Sequence, residues 1–263
     1  MSAERLKMWI AYDGTPFAGW QSQRGGNTIQ DHLQLAFFKI AGTKIIVHGA
    51  GRTDAGVHAL RQCAHVDVPR KRLAVADWRN ALNANLPLEI RVLQCARAAG
   101  DFHARYSTTG KIYTYRVWNA PVLSPFELNR AWHLPGEIDF ESLHASAQLI
   151  CGTHDFAAFA ANRGSPPTTT VRTISRAAVK QAGSLITLRF EGDGFLYKMV
   201  RLITGTLLQI ARGRADPALI PSVLALERKT TFAAPAAGLY LTRVIYGSGS
   251  GQKARALRPQ FPR

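Results

Sequence analysis

The chain is 263 residues long with a hydrophobic fraction of 46%, which predicts one or two globular domains with a sizeable core and argues against wholesale disorder. Its 33 Lys and Arg against 17 Asp and Glu give a formal net charge of +16, the electrostatic footprint of a polyanionic partner, nucleic acid before an anionic membrane. No apolar run approaches the roughly 18 residues of a membrane span, and the first residues lack an apolar signal core. The three widely spaced cysteines, Cys63, Cys95 and Cys151, fit neither a disulfide framework nor a zinc site and read as small hydrophobes. A cytoplasmic protein with no membrane partner is expected.

In chain order, Leu6 to Asp13 alternates, with Leu6, Met8, Ile10 and Tyr12 on one face, and predicts a strand. A glycine-rich loop runs from Gly14 to Asn27 and holds Trp20 and Arg24. Thr28 is a good helix N-cap with Asp31 three residues on, and Ile29, Leu33, Ala36, Phe37 and Ile40 follow as an apolar stripe at helical spacing. Lys44 to His48 and Cys63 to Val68 read as strands, Asp77 to Asn83 as a helix ending before Leu86-Pro87, and Glu89 to Ala96 as a strand.

Lys111 to Asn119 begins a second set, with Tyr113, Tyr115 and Val117 on one face. A proline-bearing loop precedes a helix from about 140 to 150, strands near 171–180 and 185–191, and a long helix from about 196 to 212. That helix has Leu196, Met199, Val200, Ile203, Leu207 and Ile210 as its buried stripe, with Lys198 and Arg201 off it, where a solvated face is the plain expectation. A short helix starts at Pro217, and Leu239 to Tyr246 closes the set as a strand. The order of elements predicts an α+β fold of two related sheet-and-helix halves, residues 1–104 and 105–246, although no sequence repeat links them. Residues 247–263 carry four basic residues and no acid and read as a flexible basic tail.

The chemistry concentrates in Gly51-Arg52-Thr53-Asp54-Ala55-Gly56-Val57-His58-Ala59. An acid sits two residues after a base, and glycines bracket both, which allows unusual backbone conformations and close approach to a ligand. The Asp54 carboxylate is a candidate nucleophile or general base, and the nearby Arg52 would favour its ionised form. Read on spacing alone, a structural ion pair in a surface turn is the plainer reading of the pair. No second acid takes a compelling position beside Asp54, and Asp193 reads as a turn before the long helix. His58, His65 and His103 lie on different elements, so no metal site is expected. Phe102-His103-Ala104-Arg105-Tyr106 and Lys111-Ile112-Tyr113-Thr114-Tyr115-Arg116 interleave rings with cations, the mixture that base stacking and phosphate contact require. Neither a P-loop nor a dinucleotide fingerprint follows a strand, which disfavours nucleotide hydrolysis and hydride transfer.

The nonamer resembles the signature loop of the tRNA pseudouridine synthase A family. Companion segments agree in order: Tyr12-Asp13-Gly14, Gly19-Trp20-Gln21, Asn83-Ala84-Asn85-Leu86-Pro87, Asp101-Phe102-His103-Ala104-Arg105, Gly194 to Arg201, and Gly238-Leu239-Tyr240-Leu241. The resemblance spans about residues 6 to 246. It implies the pseudouridine synthase fold, two ferredoxin-like halves around a central cleft. It implies isomerisation of uridine to pseudouridine at positions 38, 39 and 40 in the anticodon stem-loop of tRNA, by a homodimer, with no metal or organic cofactor. By resemblance Asp54 is the essential carboxylate and Tyr113 the base-stacking ring. Arg201 is the carboxylate's partner, Arg52 props the gap left by the flipped nucleotide, and Leu239 lines the base pocket. Tyr197 and Lys198 stand where some members carry histidine. A non-catalytic tRNA-binding or tRNA-folding protein of the same fold is the competing reading, and a carboxylate glycosidase would need a second acid.

Overall fold

A computed structural model describes residues 3–69, 73–161 and 168–247. The expected basic tail lies outside the described residues, apart from Gly247. The first half runs β1 (Ala3–Tyr12), α1 (Ile29–Ala41), β2 (His48–Gly49), β3 (His58–Pro69), α2 (Val75–Asn85) and β4 (Ile90–Arg97). Its strands lie in the order β4-β1-β3-β2, with every neighbouring pair antiparallel. The second half begins with β5 (Thr108–Trp118) and the two-residue β6 (Trp132–His133), then α3 (Phe140–Gln148), β7 (Gly152–Asp155), β8 (Val171–Ala182) and β9 (Leu185–Gly192). It ends with α4 (Met199–Ala211), α5 (Leu219–Leu224) and β10 (Leu239–Tyr246). Its strand order is β10-β5-β9-β8, again antiparallel, with β7 added at the edge.

Each half is therefore a strand-helix-strand-strand-helix-strand unit with its fourth strand beside its first, the ferredoxin-like arrangement. The two sheets fuse where β10 pairs parallel to β3, Tyr240 with His58 and Leu241 with Ala59. That seam starts one residue after the loop that carries Asp54. The loop thus emerges where the halves meet.

Local signals explain several elements. The Thr28 side chain accepts from the Asp31 N–H, and the Asp31 carboxylate accepts from the Thr28 N–H, a reciprocal cap that starts α1. Gly42 ends α1 in the left-handed conformation at φ 71°. The stripe of α1 buries Leu33 and Phe37 completely, and Phe37 meets the buried Trp78 of α2 at a ring separation of 5.5 Å. Burying side chains of this size contributes on the order of 1.5–3 kcal/mol each.

Three expectations change. Residues 44–47 are not a strand; only His48 and Gly49 pair with β3. The long helix starts at Met199, because Lys198 adopts φ 59° and forms its N-cap without a side-chain bond. The histidines are not all scattered: His48 and His65 stack at 4.9 Å, and His65 and His103 meet edge-on at 4.6 Å. The Ala104 N–H donates to His65 Nδ1 and the Arg105 N–H to His103 Nδ1. Burial first, then the neighbouring His103, His48 and Arg5, lowers His65 to about 4, so the His65 ring is neutral at physiological pH. No described helix is long and apolar enough to cross a membrane.

Candidate active site

The backbone around Asp54 is held from several sides. The Trp20 N–H donates to the Thr53 carbonyl at 3.0 Å, and the Val57 N–H donates to the Asp54 carbonyl at 3.1 Å, closing a tight turn. Gly56 completes that turn at φ 75°. The Tyr12 hydroxyl shares a 2.8 Å hydrogen bond with Thr53 Oγ1 inside the core, and Gln62 Nε2 donates to the Gly51 carbonyl. Gly19, at φ 94°, lets the preceding loop press against this segment: a Cβ there would lie 2.7 Å from the Thr53 oxygen. The turn that carries the carboxylate is thus braced from β1, β3 and the loop before α1.

Arg201 reaches Asp54 across 147 residues of sequence. Its Nη1 donates to Asp54 Oδ2 at 3.0 Å, with the two side chains 15% and 18% exposed. Its Nε donates to the Ala234 carbonyl at 2.7 Å, and its own carbonyl accepts from the Ala234 N–H. One guanidinium therefore ties the first turn of α4 to the segment before β10 and to the acid at once. The solvated-face expectation for Arg201 fails, because the guanidinium points at a carboxylate rather than at water. A charge-assisted bond of this kind orients the acid. Asp54 Oδ1 has no hydrogen-bond partner among the described residues, which leaves one carboxylate oxygen for chemistry.

Tyr113 lies on β5 with its ring buried. Phe195 meets it edge-on at 5.0 Å. Burial, reinforced by Tyr12 and the Asp54 carboxylate, raises the Tyr113 phenol above its ordinary range. The ring is therefore a neutral platform and hydrogen-bonding group at physiological pH, not a phenolate base. Leu239 is buried and faces Tyr115 across the β10–β5 ladder, and Leu241 faces Tyr113. Directly opposed residues share a face, so both leucines and both tyrosines line one side of the sheet.

Arg52 takes a different place from Arg201. It is exposed, and its Nε donates to Gln21 Oε1 at 3.0 Å. Gln21 in turn donates to Gln30, whose Nε2 donates to the Val47 carbonyl. Among the described residues Arg52 makes no ion pair with Asp54, so the near neighbour in sequence is not the partner in space. His58 works as a joint instead: Gly14 donates to its Nδ1, its Nε2 lies 3.1 Å from the Ala237 carbonyl, and its ring stacks on Tyr240 at 4.5 Å. Burial lowers its pKa, so it is neutral, and its 3.1 Å approach to Asp13 is a polar contact rather than an ion pair.

Sequence reasoning left Phe195, Thr53 and Lys111 without roles at the site. Phe195 and Thr53 were within its reach, since both stand in the motif segments. Lys111 was visible only as one of several cations alternating with rings. No group of three or more His, Cys, Asp or Glu that could hold a metal occurs among the described residues.

The model of a family described as tRNA pseudouridine synthase matches residues 8–107 and 146–247. A protein of Akkermansia muciniphila named tRNA pseudouridine synthase A is 45% identical over 251 residues, covering 92% of this chain and 95% of that one. Its namesake from Geobacillus kaustophilus is 44% identical over 247 residues, with 92% and 95% covered. A third, from Solidesulfovibrio magneticus, is 42% identical over 254 residues, with 93% and 92% covered.

Proposed function

The chain belongs to the tRNA pseudouridine synthase family, and on that premise we propose how it works: it isomerises uridine to pseudouridine in tRNA through the carboxylate of Asp54. The reaction breaks the N1–C1′ glycosidic bond, turns the uracil, and joins C5 to C1′. The proton on C5 is lost and N1 ends protonated, so atoms balance and no electrons enter or leave. No redox group is required.

The observation that carries this reading is the Asp54–Arg201 pair. Arg201 occupies Oδ2 and fixes the plane of the carboxylate. Oδ1 is left to attack carbon or to take the C2′ proton on the way to a glycal; both routes use one carboxylate oxygen. Tyr113 stacks on the uracil while it is detached from the sugar, and Leu239 lines the base pocket. Arg52, free of Asp54 and facing solvent, props the gap left when the nucleotide is extruded, a step that costs roughly a few kcal/mol. The basic surface supplies that energy through phosphate contacts. The sites served are positions 38, 39 and 40 of the anticodon stem-loop, and the working unit is a homodimer in the cytoplasm.

Tritium placed at uridine C5 of an unmodified tRNA must be expelled when the C5–C1′ bond forms. The native protein is expected to release it, and Asp54→Asn to lose at least about 10³-fold in rate while still binding tRNA. Equal release by the two proteins removes Asp54 from the chemistry. No release by the native protein favours a non-catalytic tRNA-binding role.

A further inference from the structure

We propose that Lys111 holds a backbone phosphate of the tRNA beside the reacting nucleotide, together with Arg105 and Arg172. The inference rests on the reading of tRNA as substrate and adds a site to it.

Lys111 is partly buried on β5, two residues before Tyr113 and on the same face. Side chains at that spacing along a strand stand about 7 Å apart, the scale of a single nucleotide. Its ammonium lies against the catalytic loop: a Cβ on Gly51, three residues before Asp54, would lie 3.2 Å from Lys111 Nζ. Among the described residues, Lys111 has no hydrogen-bond or ion-pair partner. The charges that face it are the guanidiniums of Arg105, in the loop before β5, and Arg172, on β8. From β9 and β10 its register partners are Gly192 and Val244, which bring no charge. The acids flanking Gly192 are engaged elsewhere. Glu191 pairs with Arg189 at 3.5 Å, and Asp193 Oδ1 accepts from the Thr173 N–H.

An ammonium withdrawn from water beside two further cations, with no carboxylate, is unfavourable in the free protein. Burial first, then Arg105 and Arg172, lowers Lys111 to about 8. The fold supplies no counter-charge, so the substrate is the source of one. Arg172 is itself positioned, with its Nη1 donating to the Thr169 carbonyl and Gly194 packed close to its Nε. Arg105 is exposed, with its guanidinium 5.8 Å from the ring of Tyr106. Lys111 thus has two guanidiniums near it and no carboxylate, and a phosphate is the anion that a polynucleotide presents.

The test follows from proton linkage. A phosphate raises the pKa of Lys111, so binding takes up a proton in the window that opens at about pH 8, and affinity falls as pH rises through it. Dissociation constants of the full chain with an unmodified tRNA transcript are measured from pH 7 to 9.5 and across a salt series. The native protein is expected to weaken toward tenfold per pH unit above pH 8. Lys111→Arg, which stays charged, is expected to bind well with a flat pH profile. Lys111→Met is expected to lose about tenfold at pH 7 and about 0.9 from the salt slope, the share of one phosphate contact. A native profile flat to pH 9.5, or Lys111→Arg as pH-sensitive as the native protein, overturns the proposal even if Lys111→Met fails to fold. Tritium release by the native protein is scored in parallel. Its absence sinks the synthase reading, whereas the pH arm reports on the phosphate site alone.

Discussion

Gly19→Ala probes the brace behind Asp54 without touching any group that meets the substrate. The native backbone stands at φ 94°, where a side chain adds strain of about 1–2 kcal/mol. The new methyl would also lie 2.7 Å from the Thr53 oxygen, 3.0 Å from the Asp54 carbonyl carbon and 3.1 Å from the Ala55 nitrogen. Ordinary contact begins near 3.4 Å, so the nearest backbone must retreat by about 0.7 Å. Catalytic groups tolerate displacements of only about 0.5 Å, and a misplacement approaching 1 Å costs on the order of 10²-fold in rate. Single-turnover tritium release should therefore fall by about 10- to 100-fold. Urea denaturation should show a loss of about 2–4 kcal/mol, combining the strain with the displaced packing. Affinity for tRNA should stay within about threefold, since the substitution removes no side chain proposed to meet the substrate. Gly25→Ala, where a Cβ meets nothing within 4 Å, is the control and should behave as native. A Gly19→Ala protein with native single-turnover rate would refute the idea that this contact sets the position of Asp54.

Arg201→Lys keeps the charge but not the planar fork that bonds Asp54 and Ala234 together; single-turnover rate should drop by about 10- to 100-fold. Arg201→Met should cost about 1.5–3 kcal/mol in urea denaturation, the scale of a hydrogen bond to a charged group, and native rates for the Lys variant would dismiss the pairing. The buried phenols of Tyr12, Tyr113 and Tyr115 all have raised pKa values, with burial the leading cause. Their contribution to stability is complete below their unfolded value near 10 and is lost as pH rises above it. The unfolding free energy from urea denaturation, measured from pH 8.5 to 11, should therefore fall above pH 10, with these three protons alone contributing a slope approaching about 4 kcal/mol per pH unit. A stability that stays level to pH 11 would contradict the burial of these rings.

Much of the fold was legible because it is local. The strand read over 239–246 is β10 with both ends correct, and the Thr28–Asp31 pair announced the start of α1. Lys44 to His48 misled because its apolar residues, Ile45 to Val47, read as strand, whereas only the final His48 joins the ladder, continuing into Gly49. Lys198 misled because helical spacing runs through it, while its left-handed backbone delays the start of α4 to Met199. The His48–His65–His103 cluster escaped notice because its members lie on three segments that only the β2–β3 register and the Ala104 bond to His65 bring together.

The sequence by itself determined the type of each main element and, through the resemblance of its loop, which carboxylate to examine. Periodicity and capping act over a few residues, so they are written where they operate. Spacing put Arg52 beside Asp54, the resemblance pointed to Arg201, and the tertiary structure seats the Arg201 guanidinium on Asp54 Oδ2. It also decided that β10 joins β3 beside the turn that carries Asp54, and that Lys111 stands among cations without an acid. Those facts depend on strand register and on packing between distant segments, more than a hundred positions apart for Arg201 with Asp54 and for β10 with β3. A charge acquires its partner, or its lack of one, only when distant backbone has been brought within a few ångströms.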